Sequence, residues 1–330
     1  MKHLLRRISS LFLAALLVCG LCVPGLAATP PTPTQSLEIL FTHDTHDHFL
    51  PLPAEGGGQY GGYTRLSTLL QQERENAEVP VITVDGGDFS MGSLFQTIYA
   101  TDAPELRALG AMGYDAVTLG NHEFDFRGQG LADMLTNAKK SGEALPAVVL
   151  SNYKPDADGG ATSAAAQTAL DNYPVTDYTI LERDGLKIAV FGVMGVDADE
   201  CAPMSGMTLE PVADAAKRVV TKIQDQEKPD FIVCLSHGGT SKDPKKSEDE
   251  LLAKAVPGID VIISGHTHST LKAPIQVGDT LIVSAGEYTQ NLGVLTVSKG
   301  GDGAVSVADY QLRHIDETVP EDPAMVSLVD

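Results

Sequence analysis

Seven short apolar runs, each stopping at small or polar residues, constrain this chain more than any other feature. They are LEILFTHD (37–44), VPVITVDGGD (79–88), DAVTLGNH (115–122), LPAVVLSN (145–152), LKIAVFGVMG (186–195), DFIVCLSHGG (230–239) and DVIISGHTHS (260–269). Their length and β-branched content suit buried strands. Helical spacing of apolar residues at 63–75, 104–112, 128–140, 211–226 and 247–255 fills the gaps between many of them. Pro211 suits a first helical turn, and Ser247 with Glu250 reads as a capping box. Strand and helix in alternation predict an α/β architecture. The small, polar stretch 154–173 reads as a surface insertion with room for one short helix, and LGVLTVSKGGDGAVSVADYQLRH as a hairpin around a Gly-rich turn.

The first 27 residues carry Lys2, Arg6 and Arg7, then an apolar stretch, then small residues at Gly25 and Ala27. That order is the pattern of a cleaved export leader; a retained membrane anchor is the alternative, disfavoured by Gly20 and Pro24 inside a short apolar run. Residues 28–36, rich in Pro and Thr, form a linker. The expected location is outside the cytoplasm, with no stable membrane insertion after cleavage. Loss of the leader moves the formal charge from −21 to about −24. So acidic a surface repels nucleic-acid polymers and anionic membranes, and a site for an anionic substrate must then bring its own positive charge, for which bound metal serves. Cys201 and Cys234 remain after the leader. Cys234 sits in a strand pattern and reads as a buried free thiol, with a Cys201–Cys234 disulfide as the alternative.

Metal-capable residues cluster where five of the runs end: Asp44 and His46, Asp88, Asn121 and His122, His237, and His266 and His268. Eight histidines follow the leader and five of them occupy these positions, whereas chance placement would scatter them over helices and surface loops. In open α/β sheets, ligands bind beyond the carboxyl ends of the strands, where such loops converge. Imidazole and carboxylate ligands without Cys suit a catalytic centre for Zn, Mn or Fe, and the two oxygens of Asp88 can bridge a pair of ions. Such a pair serves phosphoester hydrolysis. Asn121 can lend a carbonyl oxygen, leaving His122 to face substrate as acid or hydrogen-bond donor. Asp125 can turn back to fix its tautomer, while Glu123, being adjacent, points away. His43, Asp47 and His48 read as supporting or exposed residues. Tyr60, Tyr63 and the glycines 56–58 shape a loop.

In order, Asp44-x-His46, Gly87-Asp88, Gly120 to Asp125, His237 and Gly265-His266-x-His268 resemble the calcineurin-like metallophosphatase superfamily, and within it the exported 5'-nucleotidases, over about residues 37–320. The resemblance implies a four-layer αββα sandwich. It implies one divalent ion held by Asp44, His46, Asp88 and His268, a second by Asp88, Asn121, His237 and His266, and a catalytic dyad of His122 and Asp125. His43 stands where Asn is usual and Asp47 where Gly is common. Family members usually carry a further domain that stacks the nucleobase. Here Asp322 and Pro323 start a helix close to the last residue, so the expected organisation is a catalytic domain at 37–318 followed by a connecting helix at 319–330.

The function implied is hydrolysis of nucleotides, foremost nucleoside 5'-monophosphates, to nucleoside and phosphate. The alternatives are a 2',3'-cyclic-nucleotide phosphodiesterase with 3'-nucleotidase activity, and a weakly catalytic metal-binding module.

Overall fold

Two six-stranded sheets face each other through their apolar sides. The computed structural model describes residues 34–157, 160–301 and 303–329. The predicted leader lies outside them, as does the linker except for its last residues, of which Gln35 and Ser36 belong to the first strand. Pro33–Asp330 forms one unit.

The first sheet contains β1 (Gln35–Thr42), β2 (Val81–Asp85), β3 (Ala116–Val117) and β4 (Ala147–Val148). The second contains β5 (Tyr178–Arg183), β6 (Leu186–Met194), β7 (Phe231–His237), β8 (Val261–Ser264), β9 (Ile275–Val277) and β10 (Thr280–Val283). The predicted hairpin, β11 (Asn291–Lys299) and β12 (Val305–His314), returns to the first sheet. Strand order is β12-β11-β1-β2-β3-β4 in one sheet and β9-β10-β8-β7-β6-β5 in the other. The central pairs, β1 with β2 and β6 with β7 and β8, are parallel, so their carboxyl ends share an edge. Strands β5, β9 and β10 are absent from the sequence-based expectation: β5 and β9 are half-buried edge strands, and β10, though buried, is only four residues long.

Period-two alternation assigns each strand two apolar faces. Leu37, Ile39 and Phe41 meet Ile188, Val190, Phe231, Val233 and Ile263 between the sheets. On the far side of the second sheet, Ala189, Phe191, Val193 and Ile232 pack against helices carrying Val219, Ile223 and Leu252. Leu40, Val117 and Val148 on the first sheet's outer face meet Leu66, Leu109 and Leu135. The result is the expected helix-sheet-sheet-helix layering, since a sheet apolar on both faces must be covered twice.

The longer helices are α1 (Tyr63–Asn76), α2 (Pro104–Ala111), α3 (Arg127–Ser141), α4 (Gly160–Asn172), α5 (Val196–Cys201), α6 (Val212–Gln226), α7 (Glu248–Ala255) and α8 (Pro323–Val329). Three local expectations need correction. The stretch 154–173 is more than a polar surface insertion: α4 buries Ala169 and Leu170 in the core that also holds Leu131 and Leu135 of α3. Ser247 precedes α7 but makes no capping bond, and its Oγ is buried without a partner. Pro211 stands just before α6 rather than in its first turn. At α8, Asp322 accepts from the Ala324 amide at 2.9 Å, and Met325 is buried. Among the described residues no helix is long and apolar enough to cross a membrane.

Candidate metal centre and catalytic dyad

Register places the loops after β1 and β2 side by side, because Thr42 pairs with Asp85 at the last step of the ladder. Backbone bonds continue beyond it, from the Asp44 amide to Gly87 O (2.9 Å) and from the His46 amide to Asp88 O (3.0 Å). Two bonds stitch the sheets together at this edge. His237 Nδ1, at the end of β7, donates to Gly86 O at 2.9 Å, and the His266 amide donates to Asp44 Oδ1 at 3.1 Å.

All the carboxylates and histidines predicted to hold metal meet here. Ligand atoms of Asp44, His46 and His268 lie within 4.8 Å of one another, as do those of Asp88, His237 and His266. Asn121 follows β3 in the loop whose next amide, that of His122, donates to Asp88 Oδ1 at 2.8 Å. Five of these residues, Asp44, His46, Asp88, His266 and His268, have positive φ between 49° and 70°. Non-glycine residues reach that region at a cost of about 1 kcal/mol or more each, and a surrounding structure that enforces it repeatedly at one place marks a functional site.

The donor atoms fit cations. His46 Nδ1 donates to Met91 O at 2.9 Å and His268 Nδ1 is held by the Glu287 carboxylate. Each ring therefore turns its Nε2 inward, and the two stand 3.1 Å apart, close enough to share a proton or a cation. His237 Nε2, 3.0 Å from Asp88 Oδ2 but without the alignment of a hydrogen bond, and Asn121 Oδ1 are buried polar atoms with no hydrogen-bond partner. Gly120 keeps the space open: a Cβ there would come within 2.2 Å of Asp88 Oδ1 and 2.5 Å of His237 Nε2. Burial opposes charge on both Asp88 and His237. Their mutual attraction nevertheless wins, holding the Asp88 carboxyl below its usual range and raising His237 to about 10.

The dyad stands beside this centre. His122 Nδ1 lies 2.9 Å from Asp125 Oδ2, and a ring nitrogen of His122 falls within 4.8 Å of ligand atoms of His46 and Asp88. That hydrogen bond, acting against burial and assisted by Asp88, lifts His122 to about 9. Glu123 turns the other way, as adjacency implies. Fully buried, it accepts from the amides of Asp88 (3.0 Å), Ser90 (3.0 Å) and Gly120 (2.6 Å) and from Ser90 Oγ (2.8 Å). It thereby locks the loop of Asp88 to the loop of Asn121. Burial raises its carboxyl to about 7.

Three supporting residues escaped the sequence analysis as functional groups. Asp197 accepts from His266 Nε2 at 2.9 Å, Glu287 holds His268, and Asp249 accepts from Ser236 Oγ (2.5 Å) and the Gly239 amide (3.1 Å) around His237. Asp197 and Glu287 follow the ends of β6 and β10, so the strand-end rule that found the histidines also points to them. His43, one of the flanking residues, is buried between Asp44 Oδ2 (2.5 Å from Nδ1) and the Ala285 amide (2.7 Å from Nε2). Since the amide donates to Nε2, the proton sits on Nδ1 and is donated to Asp44. Asp47 is buried, while His48 is half-buried with its ring 4.5 Å from that of Tyr288.

Residues 37–270 match the family of calcineurin-like phosphoesterases. The chain belongs to that family. Calcineurin-like phosphoesterases use a dinuclear metal site, and the two clusters around Asp44 and Asp88 are candidates for it here. The trifunctional nucleotide phosphoesterase YfkN of Bacillus subtilis is 29% identical over 310 residues, covering 87% of this chain and 20% of that protein. A 5'-nucleotidase of Vibrio cholerae is 28% identical over 249 residues, covering 71% and 40%. Among solved structures, a 5'-nucleotidase precursor from Thermus thermophilus superposes with a TM-score of 0.73 at 23% identity, covering 89% of this chain and 57% of the other. In each case the chain spans less than two thirds of the relative's own length.

Proposed function

We propose that this calcineurin-like phosphoesterase hydrolyses nucleotides, foremost nucleoside 5'-monophosphates, to nucleoside and phosphate through two divalent ions. Asp44, His46, Asp88 and His268 would hold one ion, and Asp88, Asn121, His237 and His266 the other, with Zn, Mn or Fe as candidates. The observation that carries the reading is the convergence of the two ligand clusters, from loops of both sheets, beside the His122–Asp125 pair. The 5'-nucleotidases among the relatives support the substrate class.

When bound, the ions supply positive charge at the phosphoryl oxygens and Lewis acidity toward the attacking water. The chain's own residues do the rest. His122, protonated below about pH 9, presents Nε2–H to the developing charge on the leaving oxygen, and Asp125 fixes its tautomer and direction. Glu123 keeps Asp88 and Asn121 at a fixed separation. The leader at 1–27 would export the protein, so the nucleotides it meets are those outside the cytoplasm.

A second reading has support of its own. The trifunctional nucleotide phosphoesterase matches most of this chain, which favours action on more than one class of nucleotide, with 2',3'-cyclic and 3'-nucleotides as the candidates. Phosphate release from AMP, a 3'-nucleotide, a 2',3'-cyclic nucleotide and an aryl phosphate, with and without chelator, separates the readings. Preference for AMP supports the first, comparable rates on all nucleotides the second. Two bound equivalents of metal without hydrolysis of any of these would leave a binding module.

A further inference from the structure

On the outer side of His266 three ligand-type groups come together that the paired centre does not use in common. Asp197 and Cys201 lie four residues apart on α5, hence on one face of it. The Cys201 Sγ, a carboxylate oxygen of Asp197 and a ring nitrogen of His266 all fall within 4.8 Å of one another. The nitrogen turned toward Asp197 is Nε2. Cys201 is exposed, whereas Cys234 is buried in β7, and neither is paired. Asp197, its side chain 71% exposed, also borders a cavity of about 450 Å³, which leaves room for water as a further ligand.

We propose that Asp197, Cys201 and His266 form an additional cation site, selective for thiophilic divalent ions such as Zn²⁺, whose filling withdraws His266 from the paired centre. Carboxylate, thiolate and imidazole make a neutral set around a divalent ion, and the sulfur discriminates against Mg²⁺ and Mn²⁺. A cation entering the site displaces the thiol proton to solvent as Sγ ligates it. Antagonism follows from the imidazole itself. A neutral ring has one lone pair, so an ion on Nε2 leaves Nδ1 protonated and unable to ligate on the Asp88 and His237 side. Excess zinc would thus switch the enzyme off, whereas manganese would not. That inhibitory consequence rests on the proposed hydrolase function; the site itself does not.

Titration with Co²⁺ tests the site directly, because thiolate ligation gives a near-ultraviolet charge-transfer absorption. We expect the band in the full-length protein and its loss in Cys201→Ser. In parallel, phosphate release from an aryl phosphate at rising Zn²⁺ should be inhibited in the parent, with Cys201→Ser requiring about tenfold more zinc for the same inhibition. Absence of a cysteine-dependent cobalt band would overturn the site. Equal zinc sensitivity of parent and variant would overturn the antagonism. Should the protein hydrolyse no phosphoester at all, the hydrolase reading falls while the cobalt band still decides the site.

Discussion

His46 and His268 point their Nε2 atoms at each other across 3.1 Å, although each ring has already committed its other nitrogen, one to Met91 O and one to Glu287. Two lone pairs at that distance repel unless a cation or proton lies between them. Metal removal should therefore destabilise the fold as well as silence it. A chelator is expected to lower the melting temperature by about 5 °C or more, with recovery on adding back a divalent ion. An unchanged melting temperature after complete metal removal would mean the ligand cluster is not energetically coupled to an ion.

His122→Ala should keep its metal content and lose turnover by roughly 10² or more, as when a positioned proton donor is removed. Metal analysis alongside kcat distinguishes this from loss of a ligand: a variant depleted of metal would show that His122 binds an ion.

The pH profile carries a sign. The donor-competent form of His122 is its protonated form, so activity should decline as pH rises through about 9. Bound cations offset the contribution of Asp88, placing the limb at or below that value. Asp125→Asn removes the largest cause of the upward shift and should move the alkaline limb of kcat down by about one unit or more. Coincident limbs in parent and variant would show that another group sets the profile.

Glu123 accepts four hydrogen bonds in full burial. Glu123→Ala strands those donors, and a loss of about 3 kcal/mol or more is expected in denaturant unfolding. A change below about 0.5 kcal/mol, the range of an ordinary surface substitution, would refute the locking role.

His43→Ala removes the donor to Asp44 Oδ2 and the acceptor for the Ala285 amide. Metal affinity at the Asp44 site should weaken by about 10- to 100-fold with the fold retained, measured by competition with a chromogenic chelator. Affinity equal to the parent's would leave His43 with a packing role only.

Five helices, seven strands and the β11–β12 hairpin were legible in the sequence because an apolar period of 3.6 or 2 reflects a face turned to a core, and that information is local. The candidate ligands were legible for a related reason: parallel strands end on one edge, so residues at the ends of five apolar runs can be placed together before any coordinate is known. What only the folded chain decided is which way side chains turn once there. The order Asn121, His122, Glu123 implies that Glu123 turns away from its neighbour, but not that its carboxylate grips the buried amides of Asp88, Ser90 and Gly120. Nor does the distance along the chain between His43 and Ala285, or Asp197 and His266, hint at contact. Those pairings depend on how two separate sheets pack and on left-handed backbone at Asp44, His46, Asp88, His266 and His268, which residues of these types rarely adopt unless long-range contacts enforce it.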